Sequence, residues 1–554
     1  MSMASQRSIS NNLEISSLSS ANYTFKEGIK TTKQAEKVEE VRRIILGETD
    51  QLQSLLMVDA LQRLDIDYHF TEEIKDLLLR SAQNKNFNGV RGGKIMGSLH
   101  DVALSFRLLR QHGYYVSPGA FDEYTDNKGR FRAEVAQDIR GMLALYEASH
   151  LGIEGEHQLR EARVFASKHL ESLVPRMESA DLARQVQHTL QHPFHLNLQR
   201  FNAKFFLKNS GGSALGGNYN LRAFHELAQL DFNVVQAMHQ RELRDFSTWW
   251  REMGLTQQLS FVRDQPVKWA MWSVACLPQP EFSSYRVQMT KPVSFVYVID
   301  DIFDTYGTLD ELVLFTEAVN RWDDEDAINK LPGYMKTCLM ALNRTVNDIA
   351  DMVIKRHGWD PTMTLRKSWA MLCDAFLLEA KWFASGNFPK ADEYLRNGVI
   401  STGVPTVLFH LLSVLGERVS TAETSGDHDD LIHNIPALIS SSASILRLWD
   451  DLGSAEDENQ QGNDGSYLDY HMKERGETSC LESAREHVKQ LIGEEWKKLN
   501  RACLAPNRFS SAFTNASLNT ARMVQVMYAY DDHQRLQGLE QHISTLIRDP
   551  AVAA

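Results

Sequence analysis

Three carboxylates close an apolar run at Phe295-Val-Tyr-Val-Ile-Asp300-Asp301-Ile-Phe-Asp304. Residues four apart share one face of an α-helix, so Asp300 and Asp304 are predicted to point together, with Asp301 beside them. Two unit negative charges ~4 Å apart repel by roughly 4 kcal/mol at an effective dielectric of ~20, so such a cluster at a buried helix end needs a cation or an exposed position. Hard oxygen donors of this kind suit Mg2+ or Mn2+, ions that usually arrive with a phosphate-bearing substrate. Alone, the cluster reads equally well as a solvated acidic helix end.

A second cluster removes that balance. It is Arg447-Leu-Trp-Asp450-Asp451-Leu-Gly-Ser454-Ala-Glu456-Asp457-Glu458, and 450 − 300 places it 150 residues after the first. On a helix Asp450, Ser454 and Glu458 stand at i, i+4 and i+8, a line of oxygen donors along one face. Arg447, one turn earlier, would set a planar guanidinium beside the same metal, suited to phosphate oxygens. Two such clusters on facing helices can hold several divalent ions, with a diphosphate completing the coordination. Arg263, in Ser260-Phe-Val-Arg263-Asp264-Gln265-Pro266-Val-Lys268-Trp269, is a further cation whose spacing leaves both a surface arginine and an anion ligand open. The acidic runs at 323–326 and 427–430 read as solvated loops, and Asp531, near Tyr528 and Tyr530, is a further carboxylate that could face the site.

The elements that must position these groups are helices. From about Lys33 the patterning is helical, with Leu52, Leu55, Leu56 and Ala60 on one face. Met335, Leu339, Leu342, Val346, Ile349 and Val353 form one core stripe, while Trp369, Leu372, Phe376 and Glu379 end on an acid that could look into a cavity. The 14 prolines and 31 glycines are too sparse for the turns of an all-β fold, so the fold class is all-α. The glycine-rich stretch Asn209–Asn218 reads as a connector. It divides the chain into a serine-rich tail or short targeting segment at 1–20, an N-terminal helical domain at 21–217, and a C-terminal metal-binding domain at 218–554.

With 59 basic and 72 acidic residues the net charge is −13, which argues against nucleic acid or an anionic membrane surface as the main partner. No apolar run approaches the ~20 residues that span a bilayer. The five cysteines are widely spaced without a CxxC, and no HExxH occurs, so neither a disulfide framework nor a zinc site is indicated.

The two clusters, their order and their separation resemble the class I terpene synthases of plants over nearly the whole chain. The family's DDxxD motif matches Asp300, Asp301 and Asp304, and its second metal motif matches Asp450, Asp451, Ser454 and Glu458. Arg263 matches the first arginine of an RxR motif whose second is Gln265 here, and Arg447 matches the arginine before the second motif. The resemblance implies an N-terminal α-barrel-like domain and a C-terminal helical bundle. It implies three Mg2+ ions, with Mn2+ as a substitute, held by Asp300, Asp304, Asp450, Ser454 and Glu458. Asp300, Asp301 and Asp304 would be catalytic; Arg263 and Arg447, with Asp300, Asp304 and Asp450, would bind a prenyl diphosphate. Trp269, Trp272, Tyr297 and Tyr530 are expected as aromatic walls for a carbocation.

Two departures narrow the reading. The family's N-terminal arginine pair followed by tryptophan is absent, since Arg42-Arg43 has Leu52 where the tryptophan belongs, and Asp65-Ile-Asp67-Tyr68 does not complete the acid motif of protonation-initiated cyclases. With Arg263-Asp-Gln-Pro, this resembles the subfamily that makes acyclic terpene alcohols, giving linalool from geranyl diphosphate and (E)-nerolidol from farnesyl diphosphate. A cyclising monoterpene or sesquiterpene synthase, and a non-catalytic helical diphosphate-binding protein, are the alternatives. The resemblance further implies a monomer, expected in the cytoplasm with the plastid as alternative.

Overall fold

Sparse glycine and proline leave the chain to helices, and a computed structural model bears this out. It describes residues 23–83, 98–209, 221–387, 389–418, 435–454, 465–475, 480–504, 507–528 and 536–549, in which the sole extended pairing is an isolated bridge between Thr125 and Phe131. The packing divides into two compact units. One holds Met238–Leu499 and Arg508–Ile543; the other is built from Ser19–Ala237, joined by Asn500–Asn507 and Ser544–Ala554. The tail at 1–20 and, beyond Asn209, the glycine-rich connector lie outside the described residues.

In the N-terminal unit, helix α1 (Gln51–Arg63) starts at Asp50, whose carboxylate accepts the Gln53 N–H, satisfying one of the orphan donors of a helix start. Its buried face carries Leu55, Val58, Ala60 and Leu61, whereas Leu52 and Leu56 are half-buried. The unit also buries charge. Asp231 accepts from Gln34 Nε2 (2.8 Å), an Arg200 guanidinium N–H (2.9 Å) and the Tyr68 hydroxyl, with His69 Nε2 at 2.9 Å. Arg200 also pairs with Asp65. Asp65 therefore belongs to a buried ion-pair network.

In the second unit, helices α2 (Pro266–Cys276), α3 (Ser283–Asp301), α4 (Gly333–His357), α5 (Thr362–Ser385), α6 (Ala391–Ser401), α7 (Val404–Val414), α8 (Ala437–Ser454), α9 (Tyr467–Arg475) and α10 (Ser511–Tyr528) supply the site or its support. The α4 stripe from Met335 to Val353 is wholly buried, as its spacing requires. The C-terminal half of α3 is enclosed: Phe295, Val298 and Ile299 are fully buried, and an apolar stretch of this kind must sit inside a core. The helix tolerates Pro292 in its interior, although proline removes a ladder hydrogen bond.

Ala391–Val414 is long and apolar enough, by composition, to cross a membrane, yet 72% of the qualifying window is buried within the protein. The segment breaks between α6 and α7 at Gly403, where φ is +72°. A Cβ there would come within 2.5 Å of Val296 Cγ1 on α3, so the break needs glycine for both its backbone angle and its closeness to the central helix.

Candidate active site

α3 carries Met289, Val293, Val296, Tyr297 and Asp300 along the wall of one cavity of about 1190 Å3. At 1.5 Å per residue the eleven steps from Met289 to Asp300 span about 16 Å, so the carboxylate marks one end of the cavity and the apolar side chains its depth. Trp272, Cys276, Phe376, Leu408 and Leu446 continue the apolar lining, and Arg447 and Asp450 join Asp300 and Asp304 at the polar end.

The first acidic cluster departs from the expected geometry. α3 ends at Asp301, and Ile302–Tyr306 continues as a π-helical turn. Wider bonding in that turn changes the angular step, so Asp300 and Asp304 do not share a face by the four-residue rule; both nonetheless line the cavity. Asp301 is turned elsewhere. Its carboxylate accepts the Arg263 backbone N–H at 2.9 Å and pairs with Arg263 Nε at 2.7 Å, while another nitrogen of that guanidinium binds Asp300. Arg263 is thus drawn to the first cluster, with its charge held strongly by Asp300 and Asp301 against the penalty of burial. Burial raises the Asp301 carboxyl to about 6 in spite of Arg263.

On α8, Arg447 lies 3.6 Å from Asp450 and 3.8 Å from Asp451. It donates to Ser401 Oγ at 3.0 Å, and Ser401 in turn donates to Glu379 at 2.6 Å. Its side chain crosses α6 where Gly398 presents no Cβ; an added one would lie 2.9 Å from Arg447 Cγ and 3.1 Å from Nε. The buried Nε has no hydrogen-bond partner, and the guanidinium of this cavity-lining residue is suited to an anionic oxygen. Asp451 is not turned to that anion. It accepts the Tyr467 N–H at 2.9 Å and the Tyr394 hydroxyl at 3.1 Å, and burial raises it to about 7.

Asp450 is raised by burial and, further, by Asp300, with Arg447 opposing. A carboxylate whose charge is disfavoured by burial and by a second carboxylate at the polar end of a cavity fits a hard divalent cation. Among the described residues no three acidic, His or Cys side chains form a ready-made cage. Ser454 ends α8, its backbone continuing the helix from Asp450; Glu458 lies outside the described residues. Lys268 is a cation that spacing did not single out: buried on α2, it is lowered to about 7 by burial and by Arg263, opposed by Asp450 and Asp300.

Of the expected aromatic walls, Trp272 and Tyr297 line the cavity. Trp269 does not: it is fully buried against Trp250 (4.9 Å between ring centres) and Phe246, so its role is packing. Tyr530 and Asp531 lie outside the described residues. Asp323 pairs with Arg366 and Asp324 caps the helix Glu325–Asn329, so these acids are surface structure; the run 427–430 is not described. Glu379 does look into the cavity. Tyr394 and Ser401 were missed, although with Gly398 they stand at i, i+4 and i+7 on one face of α6, a polar stripe visible in sequence.

Residues 251–498 match the metal-binding domain of the terpene synthase family, and residues 9–190 match the terpene synthase N-terminal domain. The chain belongs to the terpene synthase family. It is 48% identical to an (E)-nerolidol synthase of Cannabis sativa, over 91% of this chain and 90% of that protein. It is 41% identical to the chloroplastic S-(+)-linalool synthase of Arabidopsis thaliana, over 90% and 85% of the two chains. Isoprene synthase from grey poplar leaves, solved in complex with three Mg2+ ions and dimethylallyl-S-thiolodiphosphate, superposes with a TM-score of 0.85 at 38% identity, covering 94% of this chain and 97% of its own. The family's C-terminal domain is a metal-binding one, so a divalent cation belongs to this site.

Proposed function

We propose that this terpene synthase is a Mg2+-dependent lyase that ionises geranyl and farnesyl diphosphate and adds one water at the tertiary allylic carbon, releasing linalool and (E)-nerolidol. The observation that carries the reading is the meeting of Asp300, Asp304, Asp450 and Arg447 at the polar end of one apolar cavity. The alcohol products are supported by likeness to the (E)-nerolidol and linalool synthases and by Gln265-Pro266 after Arg263.

In this reading Asp300, Asp304 and Asp450, with Ser454 and Glu458, would hold up to three Mg2+ ions, or Mn2+ in their place, which when bound would supply charge neutralisation for the leaving diphosphate. Arg447 offers its guanidinium to the same oxygens, and Arg263 gives up part of its hold on Asp300 to do likewise. Asp301 fixes Arg263 from below, through main chain and side chain. The apolar lining from Trp272 to Leu408 excludes bulk water from the cation. A monomer is the proposed state. The cytoplasm is the proposed compartment for nerolidol formation; the chloroplastic linalool synthase relative supports the plastid alternative for linalool.

The test is the product profile of the purified protein with each diphosphate, with Mg2+ and with chelator, by chiral gas chromatography and mass spectrometry. Metal-dependent linalool and (E)-nerolidol are the expected products. Cyclic hydrocarbons would overturn the alcohol assignment, and no diphosphate release with either substrate would overturn catalysis itself. Asp450→Asn should lower diphosphate release by about 10²-fold or more, the scale on which one transition-state charge contact acts.

A further inference from the structure

We propose that the Tyr297 hydroxyl holds the water that captures the allylic cation, and that Trp272 fixes the direction of that hydroxyl. The assignment rests on the alcohol-forming reading above and names the group that makes it selective.

Tyr297 precedes Asp300 by three residues on α3, about 4.5 Å along the axis toward the apolar depth of the cavity. That is the level of the first carbons beyond a diphosphate gripped at Asp300. The phenol oxygen accepts the Trp272 Nε1–H at 3.3 Å, and both side chains line the cavity. This bond uses a lone pair of the oxygen and leaves its proton as a donor. The ring is already engaged by the protein's own cations, with Arg263 Cζ 5.1 Å and Lys268 Nζ 5.7 Å from its centre. A ring so occupied is poorly placed to stabilise a carbocation, which leaves the hydroxyl as the functional part.

One further polar pair on the wall, Thr520 with Cys276, does not compete. Thr520 Oγ1 gives its proton to the Ala516 carbonyl at 2.9 Å and meets Cys276 Sγ at 3.2 Å. Cys276 is also eight residues beyond Lys268 on α2, about 12 Å further along the helix axis from the cation that feels Asp300 and Asp450. The tertiary carbon is two bonds from the carbon that leaves the diphosphate, too close to the polar end for that pair to reach.

The step balances within the reactants. The bond between the primary carbon and the diphosphate oxygen breaks, and its electron pair leaves with the diphosphate. A water accepting the Tyr297 proton in a hydrogen bond through one lone pair uses the other to bond the tertiary carbon. The proton it sheds passes to the departed diphosphate.

The experiment measures the ratio of alcohol to hydrocarbon products from farnesyl and geranyl diphosphate with Mg2+ in 18O-labelled water, for the wild type and for Tyr297→Phe, Trp272→Phe and Thr520→Val. The ratio is independent of total rate. Wild-type alcohol should carry the label. In Tyr297→Phe the ratio should fall about fivefold, the factor that one hydrogen bond carries, and Trp272→Phe should move it in the same direction. Thr520→Val should leave the ratio as in the wild type. An unchanged ratio in Tyr297→Phe, or a fall confined to Thr520→Val, would overturn the assignment. A wild type that forms no alcohol would instead overturn the functional reading beneath it.

Discussion

The place of Arg447, a proposed diphosphate ligand, depends on the absence of a methyl group on a neighbouring helix. Gly398 lets the arginine stem lie against α6, and through Ser401 and Glu379 the guanidinium is held over the cavity. Gly398→Ala should displace it and lower kcat/KM at least about tenfold, since misplacement of a binding group by ~1 Å can lose up to 10²-fold. Steady-state kinetics, with circular dichroism to show the helices intact, checks this; full activity would mean that Arg447 does not hold the diphosphate. The carboxylates of the site were legible because acidic residues interrupting an apolar run are conspicuous. The partners of Arg447 were not, because a serine and a tyrosine on an amphipathic helix are commonplace until a facing arginine is known. Nor did spacing reveal that Asp301 faces Arg263, since adjacent aspartates differ only in which way their helix turns.

Among the elements, helix identity was read correctly wherever apolar spacing was long and regular, as in α4. It was misjudged at the end of α3, where the ladder widens into a π-turn that leaves no mark in composition. The support behind α3 is also pH-sensitive. On α7, His410 is fully enclosed: its Nδ1–H donates to the Thr406 carbonyl at 2.8 Å, and its Nε2 accepts from Trp369 Nε1 at 3.2 Å. Trp369 in turn packs edge-on against Phe295 of α3. Burial lowers the imidazole from 6.5 to about 4. The unfolded chain therefore takes up the proton first, so His410's contribution is whole above pH 6.5 and declines as pH falls toward 4. The slope is at most about 1.4 kcal/mol per pH unit. Urea unfolding should show the stability difference between wild type and His410→Gln narrowing from pH 7 to pH 5. A difference constant across that range would place the imidazole's proton elsewhere.

For the molecule as a whole, the all-α class followed from composition and periodicity, but the order in which segments pack did not. Contacts that join residues hundreds of positions apart leave no local pattern. Asn500 shows this. Its amide donates to the carbonyls of His150 and Gly152, both at 2.9 Å, and accepts from His195 Nε2 at 2.7 Å. Asn500→Leu would orphan these buried groups and should destabilise the N-terminal unit by about 1–3 kcal/mol for each one left unsatisfied. Tryptic cleavage of that unit, followed in increasing urea, would report the shift; no earlier cleavage than in the wild type would argue against the asparagine's role. The Ser544–Ala554 segment is tied in the same way, with Gln236 Nε2 donating to the Asp549 carbonyl at 2.8 Å and the Thr545 carbonyl at 3.1 Å. The N-terminal unit is thus assembled from three stretches of the gene. Recombining this chain with a relative at a single crossover near residue 237 would mix parents inside one unit, whereas a chimaera that also carries codons 500–507 and 544–554 from the same parent keeps that unit's partners together.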